Sequence, residues 1–180
     1  MHPNHEQDMD ERWVAFDAIV SEYEGPLLRY VSRIVHNPDS AQDVVQDTFI
    51  RLFRTWKEEL TPGPNVLSWL YRVSHNIAVD LLRGQNRRFL LHLRQSREQD
   101  DSVSPVLEST APVSPEAEKA AAAMDGLSLR EKQLVILKVY EEKSYREISE
   151  ITGLTVGNVG YILHNAMGKL AEKLKKAQSI

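Results

Sequence analysis

The stretch from residue 65 to residue 88 most constrains the fold, because apolar residues recur along it at helical spacing. Five of them follow one another every three or four positions: Val66, Leu70, Val73, Ile77 and Leu81. This period predicts an amphipathic α-helix whose apolar face must pack against other helices. We therefore expect the rest of the chain to supply helical partners for it.

A second set of residues on the same stretch is aromatic, basic or amide-bearing and lies away from the apolar face. It consists of Trp69, Arg72, Asn76, Asp80, Arg83, Arg87 and Arg88. Rings stack on bases, guanidinium groups bind phosphates and amides bind base edges, so the set is suited to single-stranded DNA. The alternative is a core helix with a solvated, charged back. The stretch alone leaves both interpretations open.

Three more helices are predicted upstream. A stripe over residues 13–23 predicts a helix that ends at Gly25, and Pro26 suits the first turn of the next one. Ser40, with Asp43 three residues on, is a plausible N-cap of the third helix. A Pro/Gly break at residues 61–64 precedes the long helix. Four helices with short links predict a compact all-α unit.

From residue 99 to residue 116 the chain is rich in Ser, Pro and acidic residues and has no helical stripe. This composition predicts a flexible linker between two domains. An acidic tether that lies in a basic channel of a partner is the alternative. An alanine-rich helix over residues 117–124 follows the linker.

A helix-turn-helix pattern occupies residues 144–169, after a helix that Ser128 caps. Ile148 and Ile151 pack the first helix of the pair, Gly153 permits the sharp turn, and Thr155 caps the second helix. Four residues of the second helix are expected to face inward: Val159, Ile162, Leu163 and Met167. Such helix pairs bind DNA, but they also occur as plain packing units.

Charge and composition exclude several classes of protein. The net charge of −4 does not suggest a general nucleic-acid binder, although no acid interrupts the basic residues between Arg83 and Arg97. The absence of cysteine excludes disulfides and thiolate metal sites. The polar N-terminus is not a signal peptide and no apolar run is long enough to span a membrane, so a soluble cytoplasmic protein is expected.

No pattern of an enzyme is present. The six histidines have no metal-binding spacing, and there is no Walker loop, no G-x-S-x-G and no cysteine nucleophile. His75 and His164 are expected on the surface or on a DNA-binding face. We therefore expect no catalytic residue, no metal and no cofactor.

Two segments together resemble a known family. SAQDVVQDTFIRLFRTW, from Ser40, and SWLYRVSHNIAVDLLR, from Ser68, are similar to region 2 of the extracytoplasmic-function (group IV) bacterial sigma factors. Residues 127–174 resemble their region 4. The resemblance implies two small helical domains: region 2 over residues 10–98 and region 4 over residues 117–177, joined by the linker at 99–116.

The resemblance also implies binding residues. The helix over residues 40–56 is similar to the segment that docks on the β′ clamp helices of RNA polymerase, with Phe49 and Leu52 in the core. Its polymerase-binding residues would be Asp43, Gln46, Asp47, Thr48 and Arg51. The loop over residues 61–65 corresponds to one that captures an extruded base of the −10 element. The −10 contacts would be Asn65, Trp69, Tyr71, Arg72, Asn76, Asp80, Arg83, Arg87 and Arg88.

The resemblance to region 4 includes a departure. Gly160 and Asn165 stand where the family commonly has basic side chains, so fewer phosphate contacts are expected. The −35 contacts would be Thr155, Asn158, Tyr161, His164, Asn165 and Lys169. Either polar contacts read the −35 element, or this domain depends more on protein partners.

The resemblance implies a sigma factor that binds core RNA polymerase, directs it to −10 and −35 promoter elements and assists promoter melting. Its expected partners are core polymerase, through the β′ clamp helices and the β flap, and promoter DNA. Many members of the family are also held by an anti-sigma factor. The alternative is a two-domain helix-turn-helix regulator that binds operator DNA without being a polymerase subunit.

Overall fold

The computed structural model describes residues 5–56, 61–96, 124 and 126–178, and every regular element in them is helical. The elements are α1 (His5–Val35), α2 (Pro38–Thr55), α3 (Pro64–Ser96), α4 (Leu129–Val135), a π-helical turn (Ile136–Tyr140), α5 (Tyr145–Thr152) and α6 (Val156–Gln178). The all-α prediction is confirmed. The predicted linker at 99–116 and most of the predicted helix at 117–124 lie outside the described residues.

The first helix differs from the prediction, because α1 runs without interruption through Pro26 and replaces two predicted helices. Gly25 and Pro26 are local signals for a break, since proline removes a backbone donor and crowds the preceding turn. One apolar face nevertheless continues across them, with Ile19, Leu27 and Tyr30 all fully buried. Burial of side chains of this size contributes about 1.5–3 kcal/mol each, which offsets the roughly 3 kcal/mol cost of an interior proline.

The start of α2 also differs. Asn37, not Ser40, is the N-cap: its Oδ1 accepts a hydrogen bond from the Ser40 N–H at 2.8 Å, and Pro38 occupies the first turn. Asparagine caps as well as serine does, and proline at the first helical position is favourable, so this pair starts the helix earlier. At the other end, the Arg12 guanidinium donates to the carbonyl oxygens of Phe53 and Trp56 at 2.7 and 2.8 Å, which satisfies two free carbonyls near the end of α2.

Helices α1, α2 and α3 pack on one another to form the first unit. Leu52 of α2 and Leu70 of α3 are fully buried beside the α1 residues. At the edge of this core, Trp13 stacks on Phe53 with ring centroids 4.4 Å apart. The interlocked apolar faces fix the outward direction of the polar residues on α2 and α3.

The second unit consists of α4, the π-helical turn, α5 and α6. Ser128 and Ser144 each form a capping box with a glutamate three residues on, and Gly153 adopts a left-handed conformation (φ 72°) that allows the sharp turn between α5 and α6. Ile148, Ile151, Val159 and Leu163 are buried as predicted. Two outcomes differ from the predicted inner face of α6: Ala166 is fully buried, whereas Met167 is 44 % exposed.

The two units are in contact. The α5 helix lies against α3, and the π-helical turn lies against α1.

Candidate nucleic-acid interface

Most of the polar residues singled out on the long helix lie on one face of α3. They follow one another at intervals of three or four residues, which places them in one line along the helix. The line consists of Asn65, Trp69, Arg72, Asn76, Asp80, Arg83 and Arg87, and we call it the α3 stripe. All of them are exposed except Trp69, which is half-buried. Arg88 is exposed too, one residue away from the line.

The loop predicted to end at Asn65 is shorter than expected, because α3 begins at Pro64. The Leu67 N–H donates to the Gly63 carbonyl oxygen at 3.0 Å and closes the first turn of the helix. Asn65 therefore lies in that first turn, where the helix backbone holds its amide at the end of the α3 stripe.

The structure excludes Tyr71 from this face. Its side chain is 4 % exposed, its ring lies 5.1 Å from that of Tyr30, and its hydroxyl donates to Oε2 of Glu141 at 2.7 Å. Burial raises the pKa of Tyr71 well above its usual value, and the hydrogen bond to Glu141 raises it further. The expectation that Tyr71 contacts DNA is wrong for this arrangement, because one step along a helix turns a side chain onto a different face.

A cleft of about 480 Å³ opens at the N-terminal end of the α3 stripe. The end of α2 and the start of α3 contribute aromatic, amide and guanidinium groups to its lining, and α5 contributes two carboxylates. The lining residues are Trp56, Pro64, Asn65, Ser68, Trp69, Arg72, Glu147 and Glu150. The Trp69 ring meets that of Trp56 edge to face, with centroids 6.0 Å apart, so its indole is held in place beside the cleft.

The outer face of α2 carries the other predicted set. Asp43, Gln46 and Arg51 are exposed, and Arg51 pairs with Asp47 at 2.8 Å one turn apart. Thr48 does not belong to this face: it is fully buried, and its hydroxyl donates to the Val44 carbonyl oxygen at 2.7 Å. The expectation that Thr48 meets a partner is therefore wrong, because its register places it with the core residues.

Sequence reasoning missed Ile50 on this face. Its side chain is 41 % exposed although it is apolar, and it lies one helical turn from Asp47 and two turns from Asp43. An apolar group surrounded by charged ones on a solvent-facing helix is a common composition for a protein interface. Ile50 follows Asp47 by three residues and Asp43 by seven, and this helical spacing could have placed it on the same face from the sequence.

The outer face of α6 presents a row of polar side chains. Thr155 caps the helix by accepting the Asn158 N–H at 3.3 Å, as predicted, and both residues are exposed. Tyr161 is 69 % exposed and His164 is exposed as well, whereas Asn165 is half-buried. Hydroxyl, amide and imidazole groups in such a row can hydrogen-bond base edges and phosphates.

Lys169 has a partner within the chain. Its Nζ donates to Oε1 of Glu131 at 2.7 Å, and the Glu131 side chain is only 11 % exposed. The hydrogen bond from Lys169 lowers the pKa of Glu131 below its usual value, and the Ser128 N–H lowers it further. Because the Glu131 carboxylate neutralises part of its positive charge, Lys169 should attract a phosphate less strongly than an unpaired lysine would.

His75 is not on the surface. It is 5 % exposed between α1 and α3, which contradicts the expectation of a surface or DNA-face histidine. Its neighbour Asn76 is exposed, because the two side chains point to different faces of α3. His164, in contrast, is exposed on α6, on the side that was expected.

Among the histidine and carboxylate side chains of residues 5–56, 61–96, 124 and 126–178, no three are arranged in a way that could hold a metal ion. Within the same ranges, no helix has the length and apolar character required to cross a membrane.

Comparisons with known proteins identify both halves of the chain. A family model described as Sigma-70 region 2 matches residues 19–88, and one described as Sigma-70, region 4 matches residues 117–170. Among curated relatives, the ECF RNA polymerase sigma factor SigE of Mycolicibacterium smegmatis is 28 % identical over 92 % of this chain and 63 % of its own length. The RNA polymerase sigma factor CarQ of Myxococcus xanthus is 26 % identical over 89 % of each chain.

Two solved structures share the fold. The sigma factor RpoE of Bartonella quintana, in complex with the anti-sigma factor NepR, has a TM-score of 0.65 at 20 % identity, over 89 % of this chain and 96 % of that one. CnrH, in complex with the cytosolic domain of CnrY, has a TM-score of 0.61 at 19 % identity, over 92 % of this chain and 97 % of that one. At these identities, the likeness concerns the fold.

Proposed function

Because this chain belongs to the extracytoplasmic-function sigma factors, we propose that it binds core RNA polymerase and directs it to specific promoters. The single observation that carries the proposal is the pair of matches, region 2 over residues 19–88 and region 4 over residues 117–170, in that order along one chain. A regulator that binds operator DNA through its helix-turn-helix alone would have no use for a region 2 domain.

Core polymerase docks, in this proposal, on the outer face of α2. Asp43, Gln46 and the Asp47–Arg51 pair supply charge and hydrogen bonds to the β′ clamp helices, and Ile50 supplies an apolar centre. Charged groups around an apolar centre favour both specificity and fast association. The second unit would contact the β flap.

The α3 stripe receives the −10 element. A base of this element must leave the duplex before the template strand can be read, and its extrusion costs a few kcal/mol. Stacking on an aromatic ring contributes roughly 1–3 kcal/mol per base, which is enough to offset that cost. Trp69 supplies the ring, Asn65 and Asn76 the amides for base edges, and Arg72 the positive charge for the backbone. Asp80 lies one turn beyond Asn76 on the stripe, and the remaining phosphate contacts are Arg83, Arg87 and Arg88.

The outer face of α6 reads the −35 element through polar contacts. Thr155, Asn158, Tyr161 and His164 form the exposed row, and Asn165 lies at its edge. Lys169 contributes little to phosphate binding while Glu131 holds it. We therefore expect a smaller salt dependence for this domain than a helix with several free basic side chains would give.

The remaining assignments follow from the same membership. Polymerase forms the phosphodiester bonds, so this chain acts as a non-enzymatic subunit alongside the polymerase of the cytoplasm. An anti-sigma factor is a further partner in the proposal, because the Bartonella protein of similar fold is bound by one. We also propose domains at 10–98 and 117–177, with the linker at 99–116 between them.

Transcription in vitro tests the function. Purified core polymerase is mixed with this chain and a library of promoter fragments, and the transcripts are sequenced. Initiation at a common pair of elements, dependent on the chain, is the expected result. An operator-binding regulator would instead bind duplex DNA without core polymerase and start no transcripts. Failure to associate with core polymerase would overturn the proposal.

A further inference from the structure

The C-terminal part of α3 extends beyond the core of the first unit. Among the residues of this helix whose side chains the structure describes, Val79 is the last buried one, and every residue from 85 to 91 is exposed. Helices in proteins gain most of their stability by packing an apolar face against a neighbour. Residues 83–91, which we call the α3 end, have apolar side chains that lie in solvent instead.

Three large apolar side chains follow one another on the α3 end. Phe89, Leu90 and Leu91, which we call the apolar tip, are 41, 58 and 59 % exposed. Elsewhere among the described residues, exposed large apolar side chains occur singly or in pairs, which is normal for a protein surface. A run of three is expected only where a function requires it.

The direction of these side chains restricts what can cover them. Successive residues of an α-helix are about 100° apart, so the apolar tip spreads over about 200° of the circumference. A partner helix covers a stripe of about 100°. One partner helix would therefore leave part of the apolar tip in water.

Basic side chains precede the apolar tip. Arg83, Arg87 and Arg88, which we call the basic collar, are exposed, and the sequence has no acidic residue over residues 83–97. Leu91 follows Arg87 by four residues, which places it about 6 Å further along the helix axis. The order along α3 is therefore a positive collar followed by an apolar tip.

The surface of an anionic bilayer offers two matching environments in the same order. Its headgroup phosphates bind guanidinium groups, and each basic residue near the surface strengthens attachment about fivefold. Apolar side chains of an interfacial helix lie about 5–10 Å below the headgroups, which agrees with the axial offset between the collar and the tip. Acyl chains also surround an inserted helix end, so they can cover the whole apolar tip.

Two other occupants fit less well. A nucleic-acid backbone would bind the basic collar through the same phosphate chemistry, but its polar surface would leave the apolar tip in water. A second copy of this chain could cover the apolar tip, but it would bring two basic collars together, and like charges repel.

We propose that the α3 end is a peripheral binding site for anionic lipid. The basic collar binds headgroup phosphates, and the apolar tip enters the acyl region without crossing the bilayer. This lipid binding goes beyond the proposed function and does not depend on it. One consequence does rest on the proposed function: Arg87 and Arg88 are also assigned to promoter DNA, so a lipid-bound chain lacks them for the −10 strand.

Co-sedimentation of the full chain with vesicles tests the proposal. One set of vesicles consists of phosphatidylcholine alone, and the other contains phosphatidylglycerol as about a quarter of the lipid, which gives a negative surface. The chain should bind the second set about tenfold more tightly or better. The difference should shrink as added salt screens the charges.

Variants of the apolar tip test insertion. Leu90→Ser combined with Leu91→Ser should lower the affinity for phosphatidylglycerol vesicles about tenfold or more, because two large apolar side chains no longer leave water. Val14→Ser combined with Leu174→Ser is the matched control, since it removes two exposed apolar side chains elsewhere and should leave the affinity unchanged. Circular dichroism checks that each variant folds.

Variants of the basic collar separate lipid from nucleic acid. Arg87→Gln combined with Arg88→Gln should lower the vesicle affinity about twentyfold, and it should also weaken binding to a random-sequence pool of single-stranded DNA. The serine variant of the apolar tip should weaken vesicle binding alone. A loss of DNA binding equal to the loss of vesicle binding in the serine variant would contradict the proposal.

A fluorescent label reports the environment of the tip, since the chain has no cysteine of its own. A polarity-sensitive fluorophore on Leu91→Cys should shift its emission to the blue when phosphatidylglycerol vesicles are added. The same fluorophore on Ala171→Cys, an exposed position of α6, should show no shift.

Three results would overturn the inference. They are equal binding to the two sets of vesicles, equal affinities of the serine variant and its matched control, and an unshifted emission at position 91, which would indicate adsorption by charge alone. Self-association of the chain that the serine variant abolishes, without vesicle binding, would assign the apolar tip to a second copy instead. None of these measurements uses polymerase, so a failure of the proposed function would appear separately, as a lack of association with core polymerase.

Discussion

The hydroxyl oxygen of Tyr30 lies 2.8 Å from Nδ1 of His75, in the buried seam between α1 and α3. Either tautomer of the ring forms one hydrogen bond with the hydroxyl, so both groups are satisfied while the imidazole is neutral. Burial lowers the pKa of His75 to about 4, and the positive charge of Arg83 contributes to the shift. His75 is therefore an uncharged structural residue at neutral pH.

This shift predicts a pH-dependent stability. The folded-state pKa is lower than the unfolded-state value of about 6.5, so the unfolded chain binds more protons between the two values. The contribution of His75 is present above pH 6.5 and is lost as the pH falls towards 4, by about 3 kcal/mol in total. The free energy of unfolding in urea, measured at a series of pH values, should change less with pH for His75→Gln than for the wild type. His164→Gln, an exposed histidine, is the control, and a profile unchanged in His75→Gln would contradict the prediction.

The Glu131–Lys169 pair predicts a second effect on stability. Glu131→Gln weakens both the contact with Lys169 and the capping box of α4, so the free energy of unfolding should fall by about 1–2 kcal/mol at pH 7. The pKa of Glu131 is lowered on folding, so its contribution is present above the unfolded-state pKa of about 4.5 and is lost as the pH falls through the folded-state value. The destabilisation caused by Glu131→Gln should therefore be smaller in acid than at pH 7. Glu172→Gln, at an exposed site of the same helix as Lys169, should show no such effect at either pH.

Pro26 provides a test of the continuous first helix. Pro26→Ala restores a backbone donor inside α1 and removes the steric crowding by the proline ring. The midpoint temperature of unfolding should therefore rise, and the free energy of unfolding should increase by about 1–3 kcal/mol. Pro38→Ala is the comparison, because Pro38 lies in the first turn of α2 and its loss should change stability by less than 1 kcal/mol. Destabilisation by Pro26→Ala would indicate that the proline shapes a bend on which the core depends.

The sequence period was sufficient to predict the all-α class and many of the buried residues, because helical spacing is a local property. The break at Gly25 and Pro26 was predicted wrongly, since the packing that carries α1 through it involves α2 and α3. Caps were predictable where one candidate was present, as at Ser128 and Thr155. At α2 the predicted cap, Ser40, was wrong, because Asn37 three residues earlier caps the helix.

The exposure of a candidate site residue was predictable where helical register alone decides it. Asn76 and Arg72 are exposed as expected. The predicted apolar face of α3 is only partly confirmed, because Val73, Ile77 and Leu81 are half-buried, whereas the buried face runs through Tyr71, Ser74, His75, Ala78 and Val79. Tyr71 and Thr48 were misplaced, because similarity to a motif does not say which neighbour of an exposed residue is buried. The contact between Tyr71 and Glu141 joins residues 70 positions apart, and that between Lys169 and Glu131 joins residues 38 apart. No local pattern predicts such pairs.

Asp47→Arg tests the docking face of α2. The substitution breaks the exposed pair with Arg51 and places two positive charges one turn apart, which should cost less than about 1 kcal/mol of stability. Affinity for core polymerase should fall about tenfold or more, because a charge of the wrong sign is introduced into the interface. Asp17→Arg makes the same charge change on the exposed side of α1 and should leave the affinity unaltered. Equal affinities of the two variants, measured by a pull-down titration, would exclude this face.

Asn76→Ala tests the α3 stripe. The side chain is exposed, so its removal creates no cavity and should leave the free energy of unfolding within about 0.5 kcal/mol of the wild type. An amide that forms two hydrogen bonds with a base edge contributes about 1–3 kcal/mol of discrimination, so promoter-specific transcription should fall about tenfold or more. Gln85→Ala, which removes an exposed amide from another face of the same helix, is the matched control.

The comparison between transcription and polymerase binding decides what Asn76 does. If it contacts a −10 base, the variant should bind core polymerase as tightly as the wild type does, and the loss should appear only when promoter DNA must be opened. A template with a pre-melted −10 region should then recover part of the lost activity, because the cost of base extrusion has been removed from the reaction. A parallel loss of polymerase binding and transcription would instead assign Asn76 a structural role, because a residue that only positions the helix affects both steps alike.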